Sequence, residues 1–282
     1  MEGRAGGTRT LVVMTSTTPA TDDGPRITLE RDGHILLIGL SRVAKRNAAD
    51  YRMLTELALA YGELDRDPEL RVGLVFAHGD HFTAGLDLGD IGPRIGPDGL
   101  DLVPEGGINP WQVGGRHLTK PVVLAVQGTC LTLGVELMLA SDIVIAADSA
   151  RFGQIEVSRA ILPFGGATIR MPRAIGWGNA MRYILTGDVF DAKEAHRLGL
   201  VQEVVRHGQH VNRALDVARR IAAQAPLAVQ AALASARLAV REGDAAAEAA
   251  LQPELVRLLS TEDAAIGMTA FATRTTAEFV GR

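Results

Sequence analysis

The chain carries one cysteine, Cys130, in 282 residues. A lone thiol cannot form a bridge within the chain, and a cysteine-poor sequence suits a reducing, cytoplasmic compartment. Neither Cys130 nor any of the 7 histidines falls into a metal-ligand spacing, so no metal or redox cofactor is signalled. Long hydrophobic runs are also missing. The uncharged stretch from Pro121 to Val135 spans 15 residues and includes Gln127, Gly128, Thr129, Thr132 and Gly134. A membrane-crossing helix needs about 20 apolar residues, so this stretch reads as a buried element. Arg4 and Arg9 precede only the short apolar run Leu11-Val12-Val13-Met14, too short for an export signal. Charge of one sign is lacking too: 29 Lys and Arg face 33 Asp and Glu, a net charge of −4, which excludes nucleic-acid binding by bulk charge.

What is present is 47% hydrophobic residues, enough over this length for a well-buried core. Residues 1–24, rich in Gly, Thr and Asp, read as a loose tail, with Met14 an alternative start. Ile27 to Leu29 and His34 to Leu40 read as strands around the turn Arg31-Asp32-Gly33. Ala48 to Leu64 reads as a helix with Met53, Leu57, Tyr61 and Leu64 on one face. Val72 to Ala77, Pro121 to Val126 and Ile143 to Ala147 are wholly apolar, as strands covered on both faces are. Strands alternating with helices imply an α/β fold. Gly and Pro crowd the segment from Ile91 to Gly115, which is either a functional lid or a surface insertion. Strands are expected to stop near residue 170. Asp191 to Glu194 forms a capping box, and Gly199 reads as a helix stop. Val211 to Phe279 reads as helical, with breaks at Pro226 and Ser260. The organisation expected is a tail at 1–24, an α/β core at 25–210 and a helical region at 211–282.

Three segments carry chemistry. In Phe82-Thr-Ala-Gly85-Leu-Asp87-Leu88, Gly85 permits a tight turn and close approach of a ligand to backbone N–H groups. In Gln127 to Ala140, a strand leads through a turn into an apolar helix, whose N-terminus suits a developing negative charge. Glu136 stands there among Val135, Leu137, Met138 and Leu139. A carboxylate in such company is either paired with a buried arginine or backbone group, or functional. Glu156 follows Phe152-Gly-Gln154-Ile, and is either a solvated strand-end residue or the second member of an acid/base pair.

Taken in order, these segments resemble the crotonase or enoyl-CoA hydratase/isomerase superfamily over residues 26–282. Ser41-Arg-Val-Ala-Lys45-Arg46-Asn47-Ala48 is similar to its Asn-Arg-Pro-x-x-x-Asn-Ala segment. Phe82-Thr-Ala-Gly-Leu-Asp87 is similar to its Phe-x-Ala-Gly-x-Asp signature, and Gly134-Val-Glu136-Leu with Asp142-Ile143 to its Gly-x-Glu-Leu and Asp-Ile block. Leu185-Thr-Gly187, Asp191-Ala192 and Gly199-Leu-Val201 match its later segments. The resemblance implies a ββα spiral core with a C-terminal helical trimerisation region, assembled as homotrimers or hexamers. It implies an acyl-CoA substrate, with no cofactor beyond the coenzyme A of that substrate. By the same resemblance, the backbone N–H groups of Leu86 and Leu133 form an oxyanion hole for a thioester. Glu136 and Glu156, 20 positions apart as in the family's hydratases, would hold a water for addition to a trans-2-enoyl-CoA. The alternatives are a Δ3,Δ2-enoyl-CoA isomerase, which keeps one of the two acids, another crotonase reaction, or a silent acyl-CoA-binding member.

By the resemblance, Lys45 and Arg46 lie where the family approaches the adenosine portion and phosphates of coenzyme A, or are a plain solvated basic pair, and Arg274 corresponds to the family's C-terminal basic residue near Phe271. Ala48, Ala84, Asp87, Leu88 and Gly134 are further expected substrate contacts, and Phe164 either lines the acyl site or belongs to the core. Thr132-Leu133-Gly134 departs from the family's Gly-Gly-Gly, and Phe164-Gly165-Gly166 from its Gly-x-Gly-Gly. Leu133 keeps its N–H there, but its side chain would either narrow the acyl pocket or shift the donor. His78 and His81 fit no family role and read as surface or turn residues.

Overall fold

A computed structural model describes residues 24–282. Met14 and nearly all of the expected tail lie outside them. The described strands are β1 (Ile27–Asp32), β2 (Ile35–Leu40), β3 (Val72–Ala77), β4 (Val122–Val126), β5 (Thr129–Leu131), β6 (Ile143–Ala147), β7 (Arg151–Gly153), β8 (Phe190–Asp191) and β9 (Glu203–Val205). The described helices are α1 (Tyr51–Arg66), α2 (Leu88–Ile91), α3 (Leu133–Ala140), α4 (Ala167–Ile175), α5 (Trp177–Thr186), α6 (Ala192–Arg197), α7 (His210–Ala222), α8 (Pro226–Glu242), α9 (Asp244–Leu259) and α10 (Glu262–Thr273).

The main sheet has the order β1-β2-β3-β4-β6-β9. β1 and β2 form an antiparallel hairpin around Gly33, and the later neighbours pair in parallel. The apolar runs make sense in this setting, because both faces of the sheet are covered. Leu36, Ile38 and Leu40 of β2 face one core with Met53, Leu57, Tyr61 and Leu64 of α1. Ile35 and Leu37 face the other, against Ala214, Leu215 and Ala218 of α7. Asp50 starts α1, its carboxylate accepting the Met53 N–H at 2.8 Å, so the helix begins after the expected Ala48.

A second sheet, β5-β7-β8, stands apart from the first and builds the site. The chain passes from β4 to β5 through Gly128, whose φ of 54° and lack of a side chain are both required. A Cβ there would lie 2.0 Å from the Asp80 carbonyl oxygen. The Phe82 to Asp87 segment is drawn alongside, since the Thr83 N–H donates to Thr129 C=O (3.0 Å) and the Leu131 N–H to Thr83 C=O (3.1 Å).

Three expectations need correction. Strands do not stop near residue 170: β8 and β9 follow, held by pairing with β7 and β6 rather than by apolar runs of their own. The helical C-terminal stretch breaks at Gly243 as well as before Pro226 and around Ser260, and α10 ends at Thr273 rather than running to Phe279. His78 and His81 are half-buried structural residues: His78 hydrogen-bonds Thr28 Oγ1 (2.8 Å), and His81 Nδ1 accepts the Thr129 N–H (3.1 Å). Asp191 caps α6 as expected, accepting the Glu194 N–H at 2.8 Å. No described helix is long and apolar enough to cross a membrane.

Candidate active site

A cavity of about 530 Å³ opens between the turn after Ala84, the start of α3 and the segment after β7. Leu86 and Leu133 both line it, as do Glu136 and Glu156. Each element has a reason to deliver its group there. Gly85, at φ 101°, turns the chain so that Leu86 follows; a Cβ on Gly85 would lie 2.5 Å from Thr132 Oγ1. The two turns therefore touch through a glycine. Leu133 opens α3, where the first amides have no partner within the helix. Among the described residues, neither the Leu86 nor the Leu133 N–H donates a hydrogen bond.

Glu136 lies one turn into α3 and is 3% exposed. The Ala167 N–H at the start of α4 donates to its Oε1 at 3.1 Å. Burial pushes this carboxyl above the usual range, opposed by the amides of Ala167, Gly165 and Gly166 and by the Arg170 charge. The absence of a side chain at Gly165 is what makes room: a Cβ would sit 2.5 Å from Glu136 Oε2. Glu136 is thus paired with backbone, one of the two roles open to it from sequence, while also facing the cavity.

Glu156 begins a short 3-10 turn after β7 and is 7% exposed. Burial, reinforced by the Glu136 charge, pushes its carboxyl up to about 7. Gln154, fully buried, stands among acceptors that turn its amide nitrogen toward them. It donates to Glu156 Oε1 (2.9 Å) and Oε2 (3.1 Å) and to Thr132 C=O (3.3 Å). Two carboxyls whose surroundings raise both of them, facing one cavity, are suited to passing protons.

The remaining candidates divide. Ala84, Leu88 and Phe164 line the cavity, Phe164 from its exposed rim. Asp87 does not: its carboxylate pairs with Arg42 at 2.7 Å, a bond that holds it below the usual carboxylate range. The Ala48 carbonyl accepts from the same guanidinium at 2.9 Å. Gly134 packs under the cavity floor, where a Cβ would lie 2.5 Å from Thr83 Cγ2. Lys45, Arg46 and Arg274 are exposed cations outside the cavity wall. Cys130 is buried, and burial alone pushes its thiol up. Among the described residues, no three His, Cys, Asp or Glu side chains cluster as metal ligands would.

Sequence reasoning did not single out Trp111, Gln154 or Arg170. Trp111 lies in the Gly/Pro-rich segment, lines the cavity, and donates its indole N–H to Leu133 C=O at 2.9 Å. Arg170 Nη1 and Nη2 donate to the carbonyls of Gly165 (3.1 Å) and Gln112 (2.9 Å). For Gln154, the signal available was a polar residue two positions before Glu156 in an otherwise apolar stretch.

This fold and this pairing of free amides with two buried acids define a class of proteins that act on acyl thioesters. The sequence profile described as enoyl-CoA hydratase/isomerase matches residues 30–282. The chain belongs to that family, within the crotonase superfamily. It is similar to a probable enoyl-CoA hydratase/isomerase from Mycobacterium abscessus, with 59% identity and a TM-score of 0.89 over 91% of this chain and 99% of that one. It is also similar to an enoyl-CoA hydratase from Mycobacterium tuberculosis H37Rv, with 33% identity and a TM-score of 0.84 over 92% and 100%. Among curated relatives, the enoyl-CoA hydratase EchA19 of Mycobacterium tuberculosis is 37% identical over 77% of this chain and 82% of its own.

Proposed function

We propose that the chain is an enoyl-CoA hydratase, adding water across the double bond of a trans-2-enoyl-CoA to give a 3-hydroxyacyl-CoA. The observation that carries this reading is the facing pair Glu136 and Glu156 beside the amides of Leu86 and Leu133. A water held between the acids loses a proton to Glu136 as its oxygen attacks the β-carbon. The electrons of the double bond move toward the thioester, whose oxygen gains negative charge between the two amides. Glu156, held protonated by its burial, delivers its proton to the α-carbon. Return of the proton from Glu136 to Glu156 resets the pair. Fixed donors aimed at the developing charge are worth about 10²–10³ in rate for each one removed. The presence of both acids favours hydration over the isomerase reading, which uses one.

The exposed cations Lys45, Arg46 and Arg274 are assigned to the phosphates of coenzyme A. Assembly as a trimer or hexamer is assigned to the helical region at 211–282, supported by the apolar side chains that α9 and α10 leave exposed. The test is loss of the enoyl absorbance when enoyl-CoAs of increasing chain length are added. Glu136→Gln and Glu156→Gln are each expected to lower kcat by about 10²–10⁴. Undiminished hydration in both variants would overturn the assignment.

A further inference from the structure

The peptide that presents the Leu133 N–H is held under tension. Thr132, the residue before it, sits at φ 49° and ψ −114°. That region suits glycine, and a β-branched residue there is strained. Its hydroxyl adds nothing to relieve this, since Thr132 Oγ1 is buried with no hydrogen-bond partner. The carbonyl of the Thr132-Leu133 peptide itself accepts the Glu136 N–H at 3.0 Å, and two further bonds flank the peptide. On one side the Thr132 N–H donates to Gly153 C=O at 2.8 Å. On the other, the Trp111 indole N–H donates to Leu133 C=O at 2.9 Å, in a buried setting.

Trp111 is itself well anchored. Its backbone N–H donates to Asn109 Oδ1 (2.9 Å), the Asn109 side chain donates to Val113 C=O (2.7 Å), and Arg170 ties down the Gln112 carbonyl. The ring also packs against Gly165, where a Cβ would meet Trp111 Cδ1 at 3.0 Å and Glu136 Oε2 at 2.5 Å. One side chain of the Gly/Pro-rich segment therefore touches the oxyanion turn, the backbone beside the catalytic acid and the acyl cavity together.

We infer that Trp111 is a positioning residue: its indole N–H clamps the strained Thr132-Leu133 turn so that the Leu133 amide points at the thioester oxygen. This rests on the acyl-CoA reading above, so the experiment reads carbonyl polarisation as well as turnover. Butyryl-CoA labelled with ¹³C at the thioester carbon is bound to the wild type, to Trp111→Phe and to Trp111→Phe/Thr132→Gly, and the carbonyl stretch is followed by infrared difference spectroscopy. In the wild type the band is expected at lower frequency than in water. In Trp111→Phe that shift shrinks, kcat for an enoyl-CoA falls about tenfold, and KM changes by less than about twofold. Adding Thr132→Gly, which removes the strain, is expected to restore most of both. Benzothienylalanine at 111 keeps the ring and deletes only the N–H, which covers a Trp111→Phe protein that fails to fold. A full wild-type shift in a folded variant without the N–H, or a loss confined to KM, overturns the inference. Absence of any shift in the wild type instead overturns the oxyanion-hole reading.

Discussion

At the scale of single residues, the two acids set the pH dependence. Glu156 is held up to about 7 by burial first and by the neighbouring Glu136 charge second. It must carry its proton to supply the α-carbon, so kcat/KM is expected to fall about tenfold per pH unit above roughly 7. Glu136 must be ionised, so activity also falls on the acid side as it protonates. The pair titrates with two apparent values. A pH profile of hydration that stays flat from 6 to 9 would contradict these roles. The same shift has a stability consequence. The folded state binds the Glu156 proton more tightly than the unfolded chain, whose glutamates titrate near about 4.3. Native stability is therefore lost as pH rises from that value through about 7. Glu156→Gln should be more stable than the wild type by roughly 1–3 kcal/mol at pH 8, and no more stable near pH 4, by urea denaturation. Both carboxylates were legible in the sequence, because an acid in an apolar stretch demands an explanation. Trp111 was not, since it reaches Leu133 only through the turns of the fold, and Gln154 stands beside Glu156 in sequence but shows its burial against that acid only in the fold.

At the scale of elements, the site depends on turns being pinned to one another. Arg42 is the clearest pin. It is 9% exposed, reaches Asp87 (2.7 Å) and Asp50 (3.3 Å), and donates to the Ala48 carbonyl (2.9 Å). It joins the start of α1 to the Ala84-Gly85-Leu86 turn. Arg42→Met leaves the part-exposed Asp87 without its ion-pair partner while Asp50 keeps Arg26 at 2.7 Å, so the variant should lose about 1–3 kcal/mol by chemical denaturation. A second consequence concerns α4. Gly165→Ala places a methyl group against Glu136 Oε2 and should lower kcat about tenfold or more while leaving the melting temperature within a few degrees. Kinetics equal to the wild type would show that the Glu136 carboxylate tolerates displacement. The long apolar strands and amphipathic α1 could be read from hydrophobic pattern alone. β5, β7, β8 and β9 could not: each has two or three residues, and none is long enough for a period to appear. β8 and β9 are therefore the strands that an expected stop near residue 170 leaves out.

At the scale of the whole molecule, the sheet is satisfied but the surface is not. α9 exposes Leu251 (53%), Leu255 (47%) and Leu259 (51%), which fall four residues apart and so share one helix face. α10 adds Met268 (61%) and Phe271 (88%). α8 and α9 pack on one another, but that face of α9 is left facing outward. A row of large apolar side chains of this kind is a candidate surface for contact with another protein. Alanine and leucine are also abundant after residue 211, more than a solvated outer layer needs. If copies of this chain cover it, light scattering should give a mass near about 90 kDa for a trimer of 29.9 kDa subunits, or twice that for a hexamer. Leu255→Asp combined with Leu259→Asp places two charges in the apolar row, where burial without partners is costly. That variant should run at 29.9 kDa with an intact far-ultraviolet circular dichroism spectrum, because neither side chain belongs to the two buried cores. A wild-type mass of one subunit would remove the assembly, and a variant that stays trimeric would move the contact away from α9.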